Sequence, residues 1–503
     1  MFHAGTQLRK ALIIVHRWMG VCLCLLFLSW FASGIVLMYW DYPAVSEADR
    51  LSRAPMLDAA GIRLSPQEAY ARLQTDLQPD RVKLGTFDGR PVYRFRFGDG
   101  ESIVSAVDGE TLTEFPPEMT LRIASSWTGQ PAGDAKVEQN TEEDQWTVSE
   151  IFRDLRPMRK YSWPNGEQVY VSTVTGDVEQ YTTRASRMGA YFGAIPHWLY
   201  FTPLRKRASV WARIVIWASG LGAVAALCGI MIGISVYSPS KQYRKEGAPS
   251  SLPYTGQKRW HSILGLIFGL LACSWAFSGM LSMDPFPRWQ GKTWDGTGAR
   301  LAEALRGGEL QLADFTEGPR DALARLGSDF RVKELELVSF AGEPVYLGAG
   351  ERNQSRIVHA SGEVAAEFDR NKIIDVIGNA ARPNTLAETR LVTQYEAYYL
   401  DRHHRNPLPV IFVQLSDQEN STYYIDPKTA RIVQGYNSHA RWNRWLYHGL
   451  HSMDLPWLYN HRPIWDIIVL IFLIGGAALC ITSLLLAWSV VRRTLGQTFL
   501  GPS

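Results

Sequence analysis

Apolar residues gather into four long runs, roughly residues 11–40, 210–237, 261–283 and 464–491, with two large polar stretches of mixed character between the first and second and between the third and fourth. Each run is long enough to cross a hydrocarbon core of about 30 Å as a helix, so the pattern predicts four transmembrane helices. The expected layout is an N-terminal segment and first helix at 1–40, an insertion at 41–207, a second helix at 208–237, a short loop at 238–259, a third helix at 260–283, a second insertion at 284–462, a fourth helix at 463–491 and a tail at 492–503. Averages conceal this, because a mean hydropathy of −0.12 and 46% hydrophobic residues would suit an ordinary water-soluble chain. The first run follows Arg9 and Lys10 as a signal peptide would, yet it extends for about 30 residues and ends in Met38-Tyr39-Trp40-Asp41 without a small-residue cleavage site. It reads as a retained helix.

The short flanks carry Arg9, Lys10 and Arg17, then Lys241, Arg244, Lys245, Lys258 and Arg259, then Arg492 and Arg493. Basic flanks stay on the cytoplasmic side, which puts both insertions outside. Arg205-Lys206-Arg207, just before the second run, is set against that rule.

The two halves of the chain match each other in register. His16, Gly20, Trp30, Ser33 and Gly34 return 245 residues later as His261, Gly265, Trp275, Ser278 and Gly279. Within the insertions, Ala71-Arg72-Leu73, Gly89, Pro91-Val92-Tyr93 and Gly109 return at 253 residues as Ala324-Arg325-Leu326, Gly342, Pro344-Val345-Tyr346 and Gly362. At 254 residues, Thr175, His197, Trp211 and Gly222 become Thr429, His451, Trp465 and Gly476. Such matches predict one helix–insertion–helix unit written twice.

Each insertion reads as two small α+β modules. A helix is expected from Pro66 to Leu73, a half-buried strand from Arg90 to Phe97 and a turn at Asp108-Gly109, and the same order is expected around residues 320–326, 343–347 and 361–362. Further strand–turn signals occur near 170–178 and 423–433. Residues 131–143 and 400–409 are polar or turn-rich and read as loops.

The formal net charge of +3 is too small, and too concentrated at the apolar flanks, to indicate nucleic acid as a partner. Membrane lipid is the partner that the pattern implies. Cys22, Cys24, Cys228, Cys273 and Cys480 all fall in the apolar runs, leaving the insertions no disulfide to form. No Cys-x-x-Cys-His haem attachment, iron–sulfur cysteine set, dinucleotide fingerprint or phosphate loop is present. Histidine is the remaining candidate. His16 and His261 stand at corresponding places near the cytoplasmic ends of the first and third runs, and two neutral imidazoles there can approach one iron from opposite faces. His197 and His451 form the other corresponding pair, before the second and fourth runs, and can hold a second haem. His448 is an alternative ligand to His451, or a hydrogen-bonding partner for a propionate or substrate. The competing structural reading is that these histidines bond neighbouring helices or headgroups. In the same way, Gly20, Ser33, Gly34, Gly265, Ser278 and Gly279 either pack helices closely or make room for a flat macrocycle. Tyr161, Trp163, Tyr395, Tyr398, Tyr399, His403 and His404 either contact a polar aromatic ligand or form module cores or loop contacts.

The helix starts His16-Arg17-Trp18-Met19-Gly20 and Trp260-His261-Ser262-Ile263-Leu264-Gly265, the two insertions, and His448-Gly449-Leu450-His451 together resemble the PepSY-associated transmembrane family over nearly the whole chain. That family includes iron-uptake proteins and haem-containing ferric-siderophore reductases. The resemblance implies an integral membrane α-helical protein of the bacterial inner membrane with two large periplasmic α+β PepSY-like insertions. With the paired histidines it implies two b-type haems held by His16, His261, His197 and His451, electrons drawn from quinol or a separate cytoplasmic reductase, and a ferric siderophore or other iron(III) chelate reduced to release iron(II). Two alternatives stay open: a non-redox PepSY binding or scaffold protein in iron uptake, and electron delivery to another periplasmic acceptor.

The topology has a direct check. Reporter fusions after Gly100 and Leu400 should behave as external and a fusion after Gln257 as internal; the reverse pattern would reject the orientation.

Overall fold

The computed structural model describes residues 2–98, 100–141, 143–245, 247–285, 296–327, 329–351 and 354–499. The last residues of the expected tail, 500–503, and the stretch 286–295 of the second insertion lie outside them. The chain divides into a helical unit of Met1–Tyr42, Ala185–Gln290 and Trp442–Ser503 and a second unit of Pro43–Arg184 and Gly291–Arg441, which holds the larger part of each insertion, while residues 185–207 and 442–462 belong to the helical unit.

The helical unit is built on four long helices, Phe2–Leu37, Ala208–Val236, Gly256–Leu281 and Ile464–Phe499. All four are long and apolar enough to cross a membrane. Large apolar side chains also cover their outward faces: Leu270 is 72% exposed, Trp217 67% and Ile474 58%. Helices apolar on every side satisfy their own backbone and suit a hydrocarbon surround better than water. Contacts run first to second, second to third, third to fourth and fourth to first, so the first and third helices face each other diagonally, as do the second and fourth. Phe27 and Phe31 of the first helix reach across this bundle. They do so because Gly222 and Gly476 stand opposite them, where any Cβ would collide with the rings. One member of the basic triplet before the second helix has an aromatic setting. Arg205 lies over the rings of Tyr200 and Trp211, at 5.2 and 4.7 Å, and is absorbed into an aromatic cluster as a cation–π partner. Arg462 lies over Trp465 at 4.9 Å before the fourth helix in the same manner.

The second unit contains an eight-stranded antiparallel sheet to which both insertions contribute four strands. Its two central strands, Arg81–Phe87 and Glu334–Phe340, come one from each insertion and pair as Val82 with Leu337, Lys83 with Glu336 and Leu84 with Leu335. The middle pair, Lys83 and Glu336, lies 253 residues apart in sequence, the offset of the sequence matches. Side chains alternate along the strands. Val82, Leu84, Leu335 and Leu337 therefore enter one buried core with Ala69 and Ala322, which come from the helices Pro66–Ala71 and Pro319–Leu326. Ser65 and Glu68 close a capping box at the start of the first of these helices. Tyr93 and Tyr346, again 253 apart, donate their hydroxyls to the carbonyls of Leu64 at 2.7 Å and Glu317 at 2.8 Å.

On the opposite face the seam is ionic. Arg81 and Lys83 supply cations from one strand, and Glu334 and Glu336 supply anions from the other. Arg81 meets Glu336 at 2.6 Å, Lys83 meets Glu334 at 2.7 Å, and Arg431 meets Glu336 at 2.5 Å. This segregation favours pairing between unlike insertions and opposes pairing of either strand with its own kind.

Two further sheets of four antiparallel strands complete the unit, one per insertion. The expected strand Arg90–Phe97 is found at those bounds, and the signals near 170–178 and 423–433 resolve into the hairpins Gln168–Ser172 with Val178–Thr182 and Thr422–Asp426 with Arg431–Tyr436. Two expectations need correction. The first modules of the two insertions are not separate but share one sheet. Lys136–Thr141, inside a stretch read as loop, is an edge strand paired with Met158–Ser162; its polar composition reflects an edge, where only one side needs a partner.

Burial alone would push the Glu336 carboxyl up, but the guanidiniums of Arg431 and Arg81 outweigh it and hold the group below its ordinary value. A carboxylate with a lowered folded-state pKa contributes stability above its unfolded pKa and loses it as pH falls through the folded one. Glu336→Gln should therefore lower unfolding stability by about 1–3 kcal/mol at neutral pH, the scale of losing charge-assisted hydrogen bonds whose cationic partners stay partly solvated, and should flatten the acid side of the stability profile. Thermal unfolding in detergent between pH 3 and 7 measures both; a variant as stable as the parent with the same acid slope would refute the ionic seam.

Candidate functional site

The helical unit brings four of the candidate histidines together in two pairs. His16 of the first long helix and His261 of the third have ring centroids 6.0 Å apart. The two lie on diagonally facing helices, so their side chains meet across the bundle interior. His261 sits in the second turn of its helix, which begins at Gly256, ahead of the expected start. His197 lies on the short helix Ala194–Trp198, packed against the first long helix, and His451 follows the segment Arg444–Gly449, packed against the third. Their ring centroids are also 6.0 Å apart. Ser33, which contacts His197, lies 17 residues beyond His16 on the first helix, about 25 Å at 1.5 Å per residue. The pairs thus occupy two well-separated levels of the bundle.

Every one of the four imidazoles is fixed through Nδ1. His16 Nδ1 meets the carbonyl of Ala225 at 2.9 Å, and His197 Nδ1 meets the carbonyl of Trp30 at 3.2 Å and the hydroxyl of Ser33 at 3.1 Å. His451 Nδ1 meets the hydroxyl of Ser278 at 3.1 Å, and His261 Nδ1 meets Thr482 Oγ1 at 3.2 Å. Carbonyls only accept, so Nδ1 of His16 and of His197 is the protonated nitrogen. The hydroxyls are already committed as donors: Ser33 to Ser29 O, Ser278 to Trp275 O, Thr482 to Leu479 O. They too accept from Nδ1–H. All four Nε2 atoms are left with their lone pairs, the tautomer in which a neutral histidine ligates a metal while its other nitrogen is held by a neighbour.

This arrangement fits haem iron. Two imidazoles each about 2 Å from one metal, on opposite faces of it, place their centroids roughly 6 Å apart. Among the described residues, no group of three or more His, Cys, Asp or Glu side chains forms a metal site. Two nitrogens alone would leave a bare ion short of ligands, whereas a tetrapyrrole brings four of its own and asks for two axial ones. Space is provided beside the first pair, since a Cβ at Gly20 would meet nothing within 4 Å and one at Gly265 only Leu479 Cδ1 at 3.9 Å.

Sequence reasoning left Ser33, Gly34, Ser278 and Gly279 open between close helix packing and room for a flat macrocycle; the structure gives them definite contacts with the imidazoles. Each serine orients an imidazole, and each following glycine leaves room for its ring, with a Cβ at Gly34 or Gly279 coming 3.7 or 3.4 Å from Cε1 of His197 or His451. Gly229 was missed altogether. A Cβ there would lie 2.6 Å from His16 Cε1, and the residue 254 positions later is Ser483, beside His261 Nδ1 at 3.4 Å. That offset was the available signal. His448 is exposed, with its ring against Tyr447 at 4.7 Å; the ring beside His197 is that of His451. Tyr161, Trp163 and Tyr399 are buried in module cores with Tyr395 and Tyr398 packed alongside, and His404 stacks edge-on against Tyr395 at 4.9 Å.

Compared with protein-family models and with curated proteins, the chain matches none.

The fit of His16 against Gly229 can be isolated. Gly229→Ala should cost about 1–3 kcal/mol of unfolding stability, the range for overpacking a filled interior, and most of that cost should disappear in a His16→Ala background. Equal penalties in both backgrounds would place the strain elsewhere.

Proposed function

We propose that the chain is an internally duplicated dihaem electron-transfer protein of the bacterial inner membrane, with both insertions in the periplasm, which reduces an iron(III) chelate such as a ferric siderophore. The observation that carries this reading is the pair of imidazole pairs: two levels of an apolar bundle, each with two rings whose centroids are 6.0 Å apart and whose Nδ1 atoms are held by neighbours. The resemblance of the histidine-bearing motifs to the PepSY-associated transmembrane family supports it independently of that geometry. In this reading His16 and His261 hold the cytoplasmic-side b-type haem and His197 and His451 the periplasmic-side one.

When bound, haem supplies a one-electron iron couple. The chain's own residues supply the rest. The four histidines fix two sites at the two membrane levels, and Ser33, Ser278, Thr482 and the Ala225 carbonyl hold the imidazoles in orientation. Trp30, Phe27, Phe31 and Trp275, with successive ring centroids at 5.4, 6.5 and 5.8 Å, fill the interior beside the second pair. At the iron(III) end no protein acid or base is required, because one electron passes to each iron(III); with quinol as donor, its two electrons reduce two iron(III) ions in turn and its two protons pass to water. Iron(II) is then held less tightly by hard oxygen ligands. Quinol or a separate cytoplasmic reductase is the donor, since the chain carries no dinucleotide fingerprint.

The test is anaerobic mixing of chemically reduced protein with ferric siderophores of different chemistry in the presence of an iron(II)-specific trap. Reoxidation of the protein with matching iron(II) appearance is expected. Intact, reversibly reducible haem that no iron(III) chelate oxidises would refute the reductase activity and leave delivery to another acceptor; a purified protein without haem would favour the binding or scaffold role.

A further inference from the structure

We infer that the second histidine pair is approached over an edge made by Tyr447 and His448, and that this edge is where the iron(III) chelate docks; the chemical identity of the ligand rests on the function proposed above, the edge itself on geometry. Around this pair the two halves of the chain correspond closely. His197 and His451 each bond a serine, and each faces a glycine from the long helix beside it. The correspondence fails four and three residues earlier, where Gly193-Ala194 stands in one half and Tyr447-His448 in the other.

The two sides differ accordingly. On the first, Gly193 breaks the helix with a backbone of φ −105° and ψ −96°, and a Cβ there would come 2.8 Å from Gly189 O and 3.1 Å from Val36 Cγ1. Ala194 and Ile195 are buried at 0% and 2% exposure, packed with their short helix against the first long helix, and offer no polar side chain there. On the second, residues Arg444–Gly449 form a π-helix, a widened turn that recurs at functional sites. It sets the Tyr447 ring 5.6 Å from His451 and 4.7 Å from His448, which is exposed. Three rings therefore lead from the half-buried imidazole to the surface in order: His451, Tyr447, His448.

The chemistry of this edge suits a chelate rich in oxygen. An imidazole and a phenol offer hydrogen bonds to hydroxamate, catecholate or carboxylate oxygens, and the guanidinium of Arg444, close enough to act on His448, adds a positive field for an anionic complex. The step at this edge is the transfer of one electron from the reduced second site to chelated iron(III), which becomes iron(II); no covalent bond forms or breaks, and the donor named above restores the electron. Tyr447 and His448 are docking residues in this scheme and leave the axial positions to His197 and His451.

The test uses the full-length protein and, as redox-inert probes, the gallium(III) complexes of a trihydroxamate and a tricatecholate, titrated by tryptophan fluorescence. His448→Ala and Tyr447→Leu should weaken binding of at least one complex about tenfold, the scale of one lost charge-assisted hydrogen bond, and slow reoxidation by the matching iron(III) complex by a similar factor. The reduced-minus-oxidised spectrum of His448→Ala should match that of the parent. Unchanged gallium binding in both variants overturns the docking edge even if haem is present and active. Loss of the second site's spectrum in His448→Ala, with that spectrum kept in His451→Ala, also overturns it by making His448 a ligand. Binding that depends on His448 in a protein lacking haem supports the edge and contradicts only the electron-transfer reading.

Discussion

Placing four imidazoles inside an apolar bundle is the constraint from which the rest of the helical unit follows. A polar ring taken from water into such a setting is costly unless its hydrogen-bonding atoms are met. The chain meets one nitrogen of each ring and leaves the other bare. Ser33 and Ser278 sit where Nδ1 needs an acceptor, and Thr482, Ser483 and the Ala225 carbonyl serve the other level. Small residues stand opposite the rings for the same reason: at Gly34, Gly229 and Gly279 a side chain would press on an imidazole. Among the described residues no protein group bonds any of the four Nε2 atoms, which keeps them available for the coordination proposed above.

The membrane level of the argument was open to sequence reading because its signals are long and local. Runs of apolar residues announce helices, and in-register matches at 245 and 254 residues single out the histidines. The Nδ1 partners of the histidines were not legible, because Ser33 and Ser278 lie far along the chain from the rings they hold and small residues are common in helix contacts for packing alone. The seam between Arg81–Phe87 and Glu334–Phe340 was hidden for another reason. Its strands mix charged and apolar positions, since the face away from the core is held by ion pairs, and no local cue joins residues 253 apart.

The seam and the histidine pairs share a logic. In each, residues at corresponding places in the two halves meet one another: Lys83 meets Glu336, His16 meets His261, and His197 meets His451. Where the halves keep the same residue, the meeting produces a symmetric site. Where they have diverged, it produces complementarity, as with cations facing anions at the seam, or direction, as with Gly193-Ala194 against Tyr447-His448. Filling by Phe27 and Phe31 follows the second pattern, since the residues 245 positions later are Ala272 and Ala276.

The most direct test of the account is the haem content and reduced-minus-oxidised visible spectrum of the purified protein and of the variants His16→Ala, His261→Ala, His197→Ala and His451→Ala. The account predicts two bis-histidine b-type centres in the parent, with one centre lost alike in His16→Ala and His261→Ala and the other lost alike in His197→Ala and His451→Ala. A two-haem spectrum and full iron content surviving all four substitutions would contradict it.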